Sequence, residues 1–188
     1  MVLDRPNPLG GEKIEGPILD LNYQSFVGYY PIPIRYGMTI GELAKMIVGE
    51  DWIKTIPELD VIEMTGWNRS MYFDDTGLPW INPSPNIPDL ETAIIYPGMC
   101  MVEGTNISEG RGTEHPFKYI GAPWMAEEVC MDLQGMKKLK GVKFKKRKFR
   151  PRPIKGVTNS PKHDGKSCIG FEVRVKDRDQ YNSVLVGV

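Results

Sequence analysis

Residues 93–113, AIIYPGMCMVEGTNISEGRGT, set the fold class of this chain. Ala93 to Tyr96 and Met99 to Val102 form an apolar run that reads as a buried strand. The run stops at Glu103, where Gly104, Gly110 and Gly112 break any helical or extended pattern. Between the glycines lie Thr105, Asn106, Ser108, Glu109, Arg111 and Thr113. Such a segment has little to bury and much to hydrogen-bond. A polar, glycine-rich loop at the end of a buried strand is where α/β proteins place ligands. A tight surface turn with satisfied side chains is the plainer alternative.

Working outward, several elements are legible. Thr39-Ile-Gly-Glu42 has the form of a capping box, and Leu43, Met46 and Ile47 follow at helical spacing, so residues 40–48 are predicted helical. Asp60 to Met64 reads as a short strand. Ala122 to Met136 reads as a helix with Pro123 in its first turn and Met125, Val129 and Leu133 on one face. Val142 to Phe149 and Cys168 to Val175 alternate as strands, with a Gly/Ser/Asn/Pro/Lys loop at 156–167 between them. Residues 4–36 and 65–92 are loop-rich. Met1 to Leu3 resembles the tail of a buried strand, and Ser183 to Val188 ends within an apolar run. The expectation is a fragment, with part of its sheet supplied elsewhere.

The chain has 188 residues and no net charge, so no global field draws it to nucleic acid or membrane. The charge is uneven: residues 1–95 carry net −8 and residues 96–188 net +8. The basic excess concentrates in KKLKGVKFKKRKFRPRPIK, residues 137–155. Val142 and Phe144 alternate there with Lys143 and Lys145, which predicts a half-buried strand with a solvated basic face; polyanion binding is the alternative. Cys100, Cys130 and Cys168 are odd in number, with no metal-ligand spacing to either His115 or His163. No metal or cofactor is implied. No run of about 18 apolar residues is present, and MVLDRPNPLGG is not a signal peptide.

A series of strings then carries a resemblance: DRPNPLGG (4–11), PIPIRYGMTIGELA (31–44), GWNR (66–69), TGLPW (76–80), PSPN (83–86), YPG (96–98), EGTNISEGRGT (103–113) and GAPW (121–124). In order and spacing they resemble the NamZ-type exo-β-N-acetylmuramidases. The resemblance implies an α/β chain: residues 1–92 would close a Rossmann-like N-terminal domain, and residues 93–188 would begin a mixed α/β C-terminal domain. It implies an active cleft between the two and release of N-acetylmuramic acid from non-reducing ends of peptidoglycan fragments. The implied ligand is a peptidoglycan-derived sugar or muropeptide, with no nucleic acid. A partner chain supplying the missing N-terminal α/β units is an expectation of the fragment reading. The implied location is periplasmic or secreted.

Glycoside hydrolysis normally needs two carboxyl groups, about 5–5.5 Å apart for retention or about 6.5–9.5 Å for inversion. One is held protonated by its surroundings. Asp4, Glu15, Glu42, Asp75, Glu103 and Glu109 are the candidates. Glu42 is discounted as a helix cap, and Glu109 and Glu103 are the catalytic expectation. Muramic acid carries a lactyl carboxylate that a guanidinium binds bidentately. Arg111 and Arg69 are expected to do this, with Arg5 assigned to bracing. Asn106, Asn86 and Trp67 complete the expected substrate contacts; Trp80 and Trp124 could stack on sugar or belong to the core. A non-catalytic muropeptide-binding module and a polyanion- or partner-binding protein are the other function classes.

Overall fold

The computed structural model describes residues 1–55 and 57–188. The chain is mixed α/β and divides into two compact units, Met1–Trp80 and Ile81–Val188.

The first unit is built from short elements. Strand β1 (Val2–Leu3) pairs in parallel with β4 (Val61–Ile62), and helix α1 (Ile40–Gly49) lies between them in the chain. The predicted capping box is present: Thr39 Oγ1 accepts from the Glu42 N–H, and Glu42 Oε2 accepts from the Thr39 N–H. Strands β2 (Glu15–Ile18) and β3 (Pro33–Arg35) form an antiparallel hairpin. Its base is locked by a buried Arg35–Glu15 ion pair of 2.5 Å. The strand expected at Met1–Leu3 exists, but Leu3 and its partner Ile62 are about half exposed rather than buried.

The second unit carries an antiparallel sheet in the order β5-β7-β6, formed by β5 (Tyr119–Ala122), β6 (Val142–Phe149) and β7 (Cys168–Val175). The β6 and β7 bounds match the alternation read from sequence. Phe144, Phe171 and Val173 fill the sheet's buried positions. Helix α2 (Leu90–Met99) packs against the short α4 (Ser183–Gly187), where Ser183 Oγ donates to the Ile95 carbonyl and accepts from the Gly98 N–H. The C-terminal apolar run is therefore a helix.

Two expectations are corrected. Ala93 to Tyr96 and Met99 to Val102 are not strand: they belong to α2 and to a 3₁₀ turn over Cys100–Gly104. Seven of the ten α2 residues are buried, so the helix is apolar nearly all round and shows no 3.6-residue period. Its start was marked by Asp89, whose carboxylate accepts from the Thr92 N–H. The helix expected over Ala122–Met136 shrinks to α3 (Val129–Gly135), because Ala122 is taken by β5.

Candidate functional site

In the second unit the polar loop is a fixed structure. Ser108 is fully buried and exchanges backbone hydrogen bonds with Gly121 of β5. Arg111 reaches back to Glu103, with its Nη2 2.7 Å and its Nε 2.9 Å from the same Glu103 oxygen. Glu109 Oε1 lies 3.7 Å from Arg111 Nε, and the guanidinium carbon sits 5.0 Å above the Phe117 ring. Lys162, from the 156–167 loop, donates to the carbonyls of Val102, Glu103 and Ile107. Those three bonds use its three protons, so its 3.0 Å approach to Glu109 Oε2 is a coulombic contact. Two acids and two cations thus balance in one cluster.

The structure therefore brings Glu103, Glu109 and Arg111 together, as expected. Glu109 is only 3% exposed, however, and both of its oxygens face cations. Two glycines of the loop, Gly110 and Gly112, approach the chain's own backbone, while Gly104 has open space around it. A Cβ at Gly110 would stand 2.6 Å from the Tyr119 carbonyl, and one at Gly112 2.5 Å from that of Arg152; both glycines have positive φ. Asn106 contributes its backbone carbonyl to His163 Nε2 at 2.8 Å, and its side chain is exposed. Asn86 is buried and committed: its amide donates to the Val157 carbonyl and accepts from Thr158 Oγ1.

In the first unit two open depressions, of about 400 and 250 Å³, share Asp4, Met64 and Trp67 as walls. The larger adds Lys45, Glu63 and Arg69; the smaller adds Arg5. Asp4 sits at the N-terminus of α1. Its carboxylate accepts from the Gly41 N–H at 2.8 Å, Thr39 Oγ1 at 2.9 Å and the Arg5 N–H at 2.9 Å. Burial pushes the Asp4 carboxyl up, but these bonds and the Lys45 charge outweigh it and hold it below the ordinary range. The Trp67 indole N–H is buried and has no acceptor among the described residues.

Arg69 is spent on structure: it donates to the Gly11 and Gly37 carbonyls and to Glu42. Glu15 is held by Arg35, and Asp75 accepts from the Tyr72 N–H. Arg5, which the sequence assigned to bracing, is exposed and has no acidic partner among the described residues. Lys162 was missed outright. It lies in a low-complexity loop some 50 residues from Glu109, and nothing local marks it. Of the carboxyl groups whose titration the fold visibly shifts, Asp4, Asp89, Glu127 and Glu172, all move downward, as suits ionised carboxylates.

This is a mixed α/β protein with a carboxylate-and-tryptophan depression in one unit and a charge-balanced polar loop in the other. Residues 1–91 match the N-terminal family model of exo-β-N-acetylmuramidase NamZ, and residues 94–188 match the C-terminal model. The chain belongs to the exo-β-N-acetylmuramidase NamZ family. It is 47% identical over all 188 residues to the peptidoglycan β-N-acetylmuramidase NamZ of Bacillus subtilis, and covers 43% of that protein's length. Two crystal structures of DUF1343 family proteins from Bacteroides fragilis are similar. One has a TM-score of 0.89 at 34% identity, covering 97% of this chain and 46% of that one. The other has a TM-score of 0.76 at 37% identity, covering 95% and 45%. The chain thus spans less than half the length of the relatives it matches.

Proposed function

We propose that this chain forms part of a peptidoglycan-processing glycosidase that releases N-acetylmuramic acid from non-reducing ends of cell-wall fragments. The observation that carries the proposal is the 47% identity to the B. subtilis muramidase, sustained over the whole chain. In this reading residues 1–92 close a Rossmann-like domain and residues 93–188 open the C-terminal one. The parallel pairing of β1 with β4, with α1 in the crossover, supports the first part. Action outside the cytoplasm follows from the substrate. Among the described residues no helix is long and apolar enough to cross a membrane.

Within the chain, the depressions around Trp67 receive the sugar. Asp4 is the ionised carboxylate beside them, suited to stabilising positive charge or activating water rather than to donating a proton. Trp67 offers a ring face in the wall of both depressions. Arg5 takes the lactyl carboxylate, because Arg111 already faces two acids and Arg69 one. Glu103, Glu109 and Lys162 then hold the shape of the polar loop instead of touching substrate.

The test is a graft. This 188-residue stretch replaces the matching stretch of the B. subtilis relative, and the chimera is assayed on a chromogenic β-N-acetylmuramide. Turnover that disappears with Asp4→Asn is expected. A folded chimera without activity, or one that prefers β-N-acetylglucosaminides, would overturn the proposal.

A further inference from the structure

The muramidase reading does not use the basic stretch at residues 137–155. It holds eleven Lys and Arg and no acid. Four of these cations have acidic partners: Lys146 and Lys148 pair with Glu127, Arg147 with Glu172, and Arg152 with Asp164. The other seven, Lys137, Lys138, Lys140, Lys143, Lys145, Arg150 and Lys155, are all exposed and have no acid within ion-pair distance among the described residues. Strand β6 is the outer strand of its sheet, with the Phe144 N–H donating to Gln134 of α3, and Lys143 and Lys145 flank that contact as exposed side chains. They project on one side, about 7 Å apart at about 3.4 Å per residue.

Lysine on an edge strand is ordinarily explained as protection against edge-to-edge pairing. That accounts for Lys143 and Lys145. It does not account for the five unpaired cations that flank the strand, where no edge needs blunting. The stretch is also short of the groups that read bases: its two aromatic residues, Phe144 and Phe149, are buried in the core. A surface with many point charges and no stacking platform suits a polyanion recognised by charge alone, not single-stranded nucleic acid.

We propose that the β6 edge and its flanks hold an anionic, phosphate-bearing polymer of the cell wall, which keeps the protein on its substrate layer. The choice of a wall polymer rests on the muramidase reading; the binding of polyphosphate charge does not. Fluorescence anisotropy of the 188-residue chain against long-chain inorganic polyphosphate and synthetic poly(glycerol phosphate) tests it, with duplex and single-stranded DNA as comparison.

Binding to both phosphate polymers is expected, weakening about a hundredfold between roughly 50 and 200 mM salt. The Lys143→Gln/Lys145→Gln double variant should flatten the slope of log K against log salt by about 1.5, while Lys54→Gln, on the other unit, should leave it unchanged. Both substituted lysines are exposed, so an unchanged melting temperature is expected alongside. No binding at the lower salt, an unchanged slope in the double variant, or clearly tighter binding to either DNA at equal phosphate would overturn the proposal. The chimera assay is independent: its failure removes the muramidase reading and leaves the anisotropy test of phosphate-polymer binding standing.

Discussion

Lys162 Nζ stands 3.0 Å from Glu109 Oε2 while donating to three carbonyls of the 102–107 segment. One side chain from a distant loop thus closes the polar loop and neutralises its buried acid. Lys162→Ala would remove the lysine bond from the Glu103 and Ile107 carbonyls, leave the Val102 carbonyl to Thr105 alone, and leave Glu109 with Arg111 as its sole cation among the described residues. We expect a loss of about 2–4 kcal/mol in urea unfolding. Glu109→Gln should likewise cost stability, and activity only through it. An unchanged denaturation midpoint for Lys162→Ala would remove the structural role.

Gly98 lets α2 and α4 touch. A Cβ there would fall 1.8 Å from the Ser183 carbonyl oxygen, a backbone atom that cannot swing away. Gly98→Ala should therefore destabilise the second unit by about 3 kcal/mol or more. Gly49→Ala, with nothing within 4 Å of the added carbon, should be neutral or slightly stabilising. Equal melting temperatures for the two variants would contradict the packing.

The cap of α1 and the depression share atoms. Thr39 Oγ1 accepts from Glu42 N–H and donates to Asp4 Oδ2. Thr39→Ala should cost about 1–2 kcal/mol of stability. It should also raise the Asp4 titration, visible by carboxyl-carbon NMR, because a bond that favours the ionised form is lost. A stability loss with Asp4 unmoved would separate the two functions.

The second unit has a pH dependence with two limbs. Burial pushes the Asp89 carboxyl up, but the Thr92 N–H and Lys118 pull it below the ordinary range. Its contribution is present above the unfolded carboxylate value and is lost as pH falls through the folded one. Burial pushes Lys118 down, but Glu91 and Asp89 raise it above the ordinary lysine value. That contribution is present below the unfolded lysine value and is lost as pH rises through the folded one. Asp89→Asn should flatten the acid limb of a melting-temperature profile and weaken the alkaline one. Curves parallel to the parent's would contradict this.

Legibility in the sequence followed the physics of each element. The half-buried β6 announces itself by alternation, and the central β7 is legible from its alternating Ile169, Phe171, Val173 and Val175, although residues 170–173 are all buried. The Thr39–Glu42 box fixed α1 because capping is local. Helix α2 was misread because burial on all sides erases periodicity, although Asp89 marked its start. The polar loop is legible, but Gly110 and Gly112 serve backbone approach, and its partner Lys162 is distant in sequence. For Arg5 the sequence does not show pairing, because that depends on where acids fall in space.

The central claim is that the first unit binds muramic acid through Trp67 and Arg5. Its most direct test is a titration of the 188-residue chain with N-acetylmuramic acid and with N-acetylglucosamine, followed by NMR of the Trp67 indole N–H. The account predicts that N-acetylmuramic acid shifts this resonance and binds about tenfold more tightly than N-acetylglucosamine, and that Arg5→Gln abolishes the difference. Equal affinities for the two sugars, or an unmoved Trp67 resonance at saturation, would contradict it.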